Sequence, residues 1–206
     1  MKVKKRLFAG MLALAMLLSL NVTAFASEPS DGGTVSVSAG PVENVTLTKT
    51  YKLANADTTS PAETFTYTIS RVSVTDAADG ITNSNMPLPT GTWEVNYNEG
   101  EATVEGVEKT FVVKLPEYTS VGIYTYNIHE NSSNNAGVVV DSHDVTMKVT
   151  VVNGDDGFDC YVALYKDVME NGEFVNKKIN AKDAFENTYE ANKLTFNKDV
   201  QGNLAV

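Results

Sequence analysis

From Val45 onward the sequence is written in a period of two. Apolar and polar residues alternate over short segments, turn residues separate those segments, and no stretch carries a helical repeat, so the chain is committed to sheet. Thr, Val and Tyr, which suit a pleated backbone, are abundant. The pattern predicts an all-β sandwich with strands at Val45–Leu53, Thr64–Val74, Thr92–Tyr97, Thr110–Leu115, Gly122–Glu130, Val138–Val152, Phe158–Tyr165 and Phe185–Tyr189. The run Asn153-Gly154-Asp155-Asp156-Gly157 reads as a hairpin loop, because Asn and Gly accept positive φ. Its acidity lacks the downstream glutamate of a calcium loop.

The residues before this sheet have a different character. Lys2, Lys4, Lys5 and Arg6 precede an apolar run, Leu7 to Leu20, and the small-residue site Ala24-Phe25-Ala26, which together read as a secretory signal peptide over residues 1–26. Residues 27–43 begin as a Gly/Ser-rich stretch and read as a flexible leader. Removing the signal peptide's four cations takes the formal charge from -10 to about -14, a balance that repels a phosphate backbone and excludes a nucleic-acid partner. No second apolar run approaches the roughly 20 residues of a bilayer span, so the mature chain is expected to carry no membrane segment.

A lone cysteine, Cys160, excludes an internal disulfide in an exported domain, so another device must hold the fold. Cys160 alternates with Val162 and Leu164 and is expected to be a small buried residue. His129 and His143 read as surface histidines with no zinc-ligand spacing. Trp93, Val95 and Tyr97 share one parity and read as core, with an exposed sugar-binding patch as the alternative.

Parity singles out three polar residues. In the first strand Val45, Leu47, Tyr51 and Leu53 share a face with Lys49; in the Gly122–Glu130 segment Tyr124, Tyr126 and Ile128 share a face with Glu130; in the last strand Phe185 and Tyr189 bracket Asn187. An amine, a carboxyl and a carboxamide are thus directed inward. One such residue would be a snorkelling side chain at the sandwich rim. Three together form a reactive set, because buried Lys and Glu are uncommon without partners. Desolvation neutralises a lysine and keeps a glutamic acid protonated. A neutral ε-amine is a nucleophile, and a protonated carboxyl can hydrogen-bond the asparagine carbonyl, polarise it and carry the proton that lets ammonia leave. The product would be a Lys–Asn isopeptide bond, formed in a single self-catalysed turnover with no cofactor and no metal.

These residues resemble the isopeptide-linked domain of the FctA-like backbone pilins of Gram-positive bacteria. The resemblance is carried by Val45-Thr-Leu-Thr-Lys49, Phe65-Thr-Tyr67, Gly122-Ile-Tyr124-Thr-Tyr126-Asn-Ile128-His-Glu130 and Phe185-Glu-Asn187-Thr-Tyr189, in that order along the chain. It implies an immunoglobulin-like, CnaB-type β-sandwich over residues 44–191, with Lys49 joined to Asn187 and Glu130 as the catalyst. It also implies a structural subunit of a cell-surface pilus, with other pilin subunits and a sortase as partners. Leu194-Thr-Phe196-Asn-Lys198-Asp-Val200 echoes the first strand, so residues 192–206 are expected to open a second, truncated domain in which Lys198 is an unreacted crosslink lysine. In related subunits the intersubunit acceptor lies shortly before the last strand, where this chain has Lys177, Lys178 and Lys182, all read as loop lysines. A surface adhesin or carbohydrate-binding module facing a host glycan is the alternative on the same sandwich. A secreted hydrolase has the least support, since neither a spaced carboxylate pair nor a Ser/His/Asp set is evident.

Overall fold

The structure, a computed structural model, describes residues 40–133 and 135–191. The signal segment, most of the leader, and the 192–206 segment with Lys198 lie outside the described residues.

The alternating segments form strands β1 (Asn44–Leu53), β2 (Glu63–Thr75), β3 (Trp93–Tyr97), β4 (Val107–Lys114), β5 (Gly122–Glu130), β6 (Val138–Val139), β7 (Val145–Asn153), β8 (Phe158–Glu170), β9 (Glu173–Ile179) and β10 (Phe185–Tyr189), with a 3-10 turn at Ala181–Asp183. They make two sheets, β4-β1-β10-β6 and β3-β2-β5-β7-β8-β9. The inward faces supply a core that includes Leu47, Tyr51, Phe65, Tyr124, Ile128, Met147 and Phe185. Aromatic rings fill the space between the sheets: Tyr51 meets Phe65 edge-on at 5.1 Å, and Tyr67 stacks on Phe111 at 4.1 Å.

The first and last strands lie side by side. β1 pairs with β10 in parallel, with Lys49 opposite Phe185 and Tyr51 opposite Asn187, while β1's other edge pairs antiparallel with β4. Lys49 and Asn187 are therefore diagonal neighbours, two residues apart in register, on one face of adjacent strands. β5 lies inside the opposing sheet, between β2 and β7. Tyr97 of β3 ties the sheets together by donating its hydroxyl hydrogen to the Lys49 carbonyl at 2.6 Å.

Two expectations about strands need correction. The expected strand Val138–Val152 is two strands, because at Asp141–Asp144 the chain leaves the β10 edge and crosses to pair with β5. The Phe158–Tyr165 segment continues to Glu170 and returns as β9 through an Asn171-Gly172 turn. Both turn residues have positive φ, 50° and 88°, the geometry of a two-residue hairpin that glycine accepts without strain. The Gly154–Gly157 hairpin forms as expected, closed by the Gly154 N–H donating to the Gly157 carbonyl at 2.8 Å. At the end of the leader, Val42 donates its N–H to the Cys160 carbonyl at 2.8 Å, so ordered chain begins before Asn44. Cys160 is only half-buried, and burial raises its thiol pKa. Val95 and Tyr97 are buried and Trp93 is half-buried against them.

A buried lysine–glutamate–asparagine site

The three inward polar residues meet. Lys49 comes from β1, Asn187 from β10 and Glu130 from the end of β5 in the facing sheet; their exposures are 0%, 1% and 2%. The Lys49 Nζ lies 2.8 Å from each Glu130 carboxyl oxygen. The Asn187 Nδ2 donates a short hydrogen bond to Glu130 Oε1, the oxygen that Lys49 also approaches. Amine and carboxamide nitrogen are thus gathered on one carboxyl oxygen. The wall of the site is aromatic, with the Phe65 ring centroid 4.3 Å from Nζ.

Burial sets the electrostatics. Desolvation pulls the Lys49 pKa down to about 8 against the opposing pull of Glu130, and desolvation likewise raises the Glu130 pKa despite the Lys49 charge and the Asn187 hydrogen bond. Both shifts move the pair from ammonium and carboxylate toward amine and carboxylic acid. Transfer of one proton along the 2.8 Å contact creates a nucleophilic amine and a proton donor at once.

The asparagine is oriented differently from the simplest expectation. Its Oδ1 faces away from Glu130 and accepts the backbone N–H of Asp141 at 2.7 Å. A backbone N–H can only donate, so the atom it faces is the oxygen, and Nδ2 is the atom on Glu130. Glu130 therefore addresses the carboxamide nitrogen rather than the carbonyl oxygen.

Two further residues border the site that sequence reading missed. Lys166, 8% exposed, extends from β8 to contact Asp141 Oδ2 closely and donates to the Ala184 carbonyl at 2.8 Å. Asp141 Oδ2 also accepts the Glu186 N–H at 3.2 Å, and Oδ1 accepts the His143 N–H at 3.1 Å. Lys166 continues the parity of Val162 and Leu164, and that signal lay one residue beyond the expected strand end. Asp141 sits in the sheet-to-sheet crossing, where period-two parity breaks off.

The remaining candidates lie elsewhere. Lys177 and Lys178 are on exposed strand β9 rather than in a loop, and Lys177 is paired with Glu170. Lys182 is exposed in the 3-10 turn, bordering a cleft with Lys52, Glu105, Glu108, Asp183 and Glu186. His129 is exposed and paired with Asp144 at 2.7 Å; His143 is half-buried beside Asp141. This cleft and a second near Leu88 and Lys114 each enclose about 210 Å³, below the roughly 300 Å³ at which small-molecule pockets begin.

A two-sheet sandwich with parallel neighbouring terminal strands over a buried Lys–Glu–Asn set defines a particular class of β domain. Residues 45–190 match the family model described as FctA, the Spy0128-like isopeptide containing domain, and the chain belongs to that family. Solved structures share the fold. The T-13 major pilin of Streptococcus pyogenes is 22% identical with a TM-score of 0.51, aligned over 73% of this chain and 53% of its own length. Another major pilin of that species is 22% identical with a TM-score of 0.52, over 71% of this chain and 50% of its own. The chain thus spans about half the length of these pilins. No curated protein matches it.

Proposed function

We propose that this chain is a structural subunit of a Gram-positive cell-surface pilus or stalk, and that its domain is locked by a self-formed isopeptide bond between Lys49 and Asn187. The observation that carries the reading is the convergence of Lys49 Nζ and Asn187 Nδ2 on one buried Glu130 oxygen. In the reaction Lys49 gives a proton to Glu130, its neutral Nζ attacks Asn187 Cγ, and a C–N bond forms. The Cγ–Nδ2 bond breaks, the nitrogen takes protons through Glu130, and ammonia leaves. Enclosure supplies the proximity, worth roughly 7–11 kcal/mol of barrier in a well-oriented intramolecular step.

Placement of the bond suits a load-bearing role. Pulling on the start of β1 and the end of β10 shears two adjacent parallel strands, and a bond between their side chains routes that tension around the hydrogen bonds. The assignment extends to a signal peptide over 1–26, a leader over 27–43, the linked domain over 44–191 and a second domain opening at 192. Joining of subunits by a sortase through Lys177, Lys178 or Lys182 completes the reading; all three are exposed.

The test is the intact mass of recombinant protein from Ser27 onward, beside Lys49→Ala, Glu130→Ala and Asn187→Ala, with mapping of the crosslinked peptide. The parent is expected to lack one ammonia and each variant to retain it. A full mass in folded parent protein defeats the crosslink. On the cell wall, covalent ladders of the subunit are expected; a single terminal copy that binds glycan would favour the adhesin alternative.

A further inference from the structure

Asn187 Oδ1 is the atom that becomes negatively charged when an amine attacks Cγ, and Glu130 is turned away from it. Among the described residues the donor that reaches it is the Asp141 N–H, at 2.7 Å. A donor already in place where charge develops, in a site closed to water, is the arrangement that stabilises a tetrahedral intermediate. That N–H belongs to a residue held on several sides. The Asp141 carboxylate is gripped by the Lys166 ammonium and by the Glu186 and His143 N–H groups. Lys166 also holds the Ala184 carbonyl, so one lysine fastens the crossing segment to the start of the strand that presents the electrophile.

We propose that the Asp141 backbone N–H is the oxyanion donor for Lys49–Asn187 bond formation, and that the Asp141 carboxylate and Lys166 are positioning groups that aim it. The proposal rests on the isopeptide reading above and adds a second catalytic arm to it. Glu130 moves the proton from Nζ to the departing Nδ2, while Asp141 N–H holds Oδ1 as the C–N bond forms and the Cγ–Nδ2 bond breaks. In the product the same oxygen is the isopeptide carbonyl, still accepting the same N–H.

The experiment uses full chains assembled by ligation in denaturant, unbonded at time zero, then diluted to fold while intact mass follows loss of ammonia. Four proteins are compared: the parent, an amide-to-ester replacement of the Val140–Asp141 peptide link that deletes the N–H and keeps the side chain, Lys166→Met, and Lys166→Arg. Near-UV circular dichroism verifies folding, and Asp141→Asn substitutes for Lys166→Met if the latter does not fold. The ester is expected to slow ammonia loss by about 100-fold or more, the loss typical of one oxyanion donor. Lys166→Met is expected to lower the plateau of the pH–rate profile at least tenfold, beyond any movement of a limb caused by the lost charge near Lys49, and Lys166→Arg to recover part of the rate. Folded ester or Lys166→Met protein reacting at the parent rate overturns the proposal. So does a Lys166→Met effect that shifts a pH limb without lowering the plateau, which would make Lys166 a tuner of Lys49. A parent that never loses ammonia fails the underlying isopeptide reading instead.

Discussion

Replacing Glu130 with glutamine preserves the shape of the site and removes its proton carrier. The variant is expected to fold and to keep its full mass, so that Lys49 and Asn187 remain unjoined. In the parent the proposed bond would close a loop of about 139 residues, which by chain entropy would restrict the unfolded state by about 5 kcal/mol. For a domain of this size each kcal/mol moves the midpoint by about 2–4 °C, so the variant should melt about 10–20 °C lower. Lys49 adds to the loss. Without the carboxylate that raises its pKa, Lys49 is pushed further toward the neutral amine and lies against Phe65 without its partner, and a buried polar group stripped of its partner is destabilising. Urea unfolding separates the two contributions. A crosslinked unfolded chain exposes less surface, so the parent's m value should be smaller than that of the variant, whereas the unpartnered amine changes stability at constant m. A full-mass Glu130→Gln protein with the parent's midpoint and m value would refute the reasoning, as would a Glu130→Gln protein that still loses ammonia.

Two other predictions follow from the same geometry. In single-molecule pulling from the domain's two ends, Glu130→Gln should release about 470 Å of hidden contour, roughly 3.4 Å for each of about 139 residues, while the bonded parent releases none of it; equal extensions would remove the bond from the line of force. The rate of bond formation should be highest between the raised Glu130 pKa and about pH 8. Below that window the pair holds two protons and no neutral amine exists; above it the pair holds none and no acid remains, and the limbs belong to the coupled pair rather than to either residue. Asp141 and Lys166 also act on Lys49, raising and lowering its pKa respectively, so their substitution in the rate assay is read against the full profile. A rate that climbs steadily to pH 10 would show that Glu130 contributes no proton.

Legibility differed from element to element. β1, β5 and β10 were readable because each has one face against the core, and the two-residue period then assigns every side chain, including Lys49, Glu130 and Asn187, to a side. The β8–β9 hairpin was less so: its outer half exposes Met169, Phe174 and Val175 and therefore lacks a consistent apolar parity, although Asn171-Gly172 marks its turn. Local alternation thus determined which residues face inward, and with them the buried polar set. What the tertiary structure alone decided is which inward residues meet and by which atoms. The parallel β1–β10 pairing, the approach of β5 from the other sheet, and the crossing at Asp141 that turns Asn187 Oδ1 away from Glu130 all depend on contacts between residues far apart in the chain, and alternation along a single strand carries no information about its neighbours.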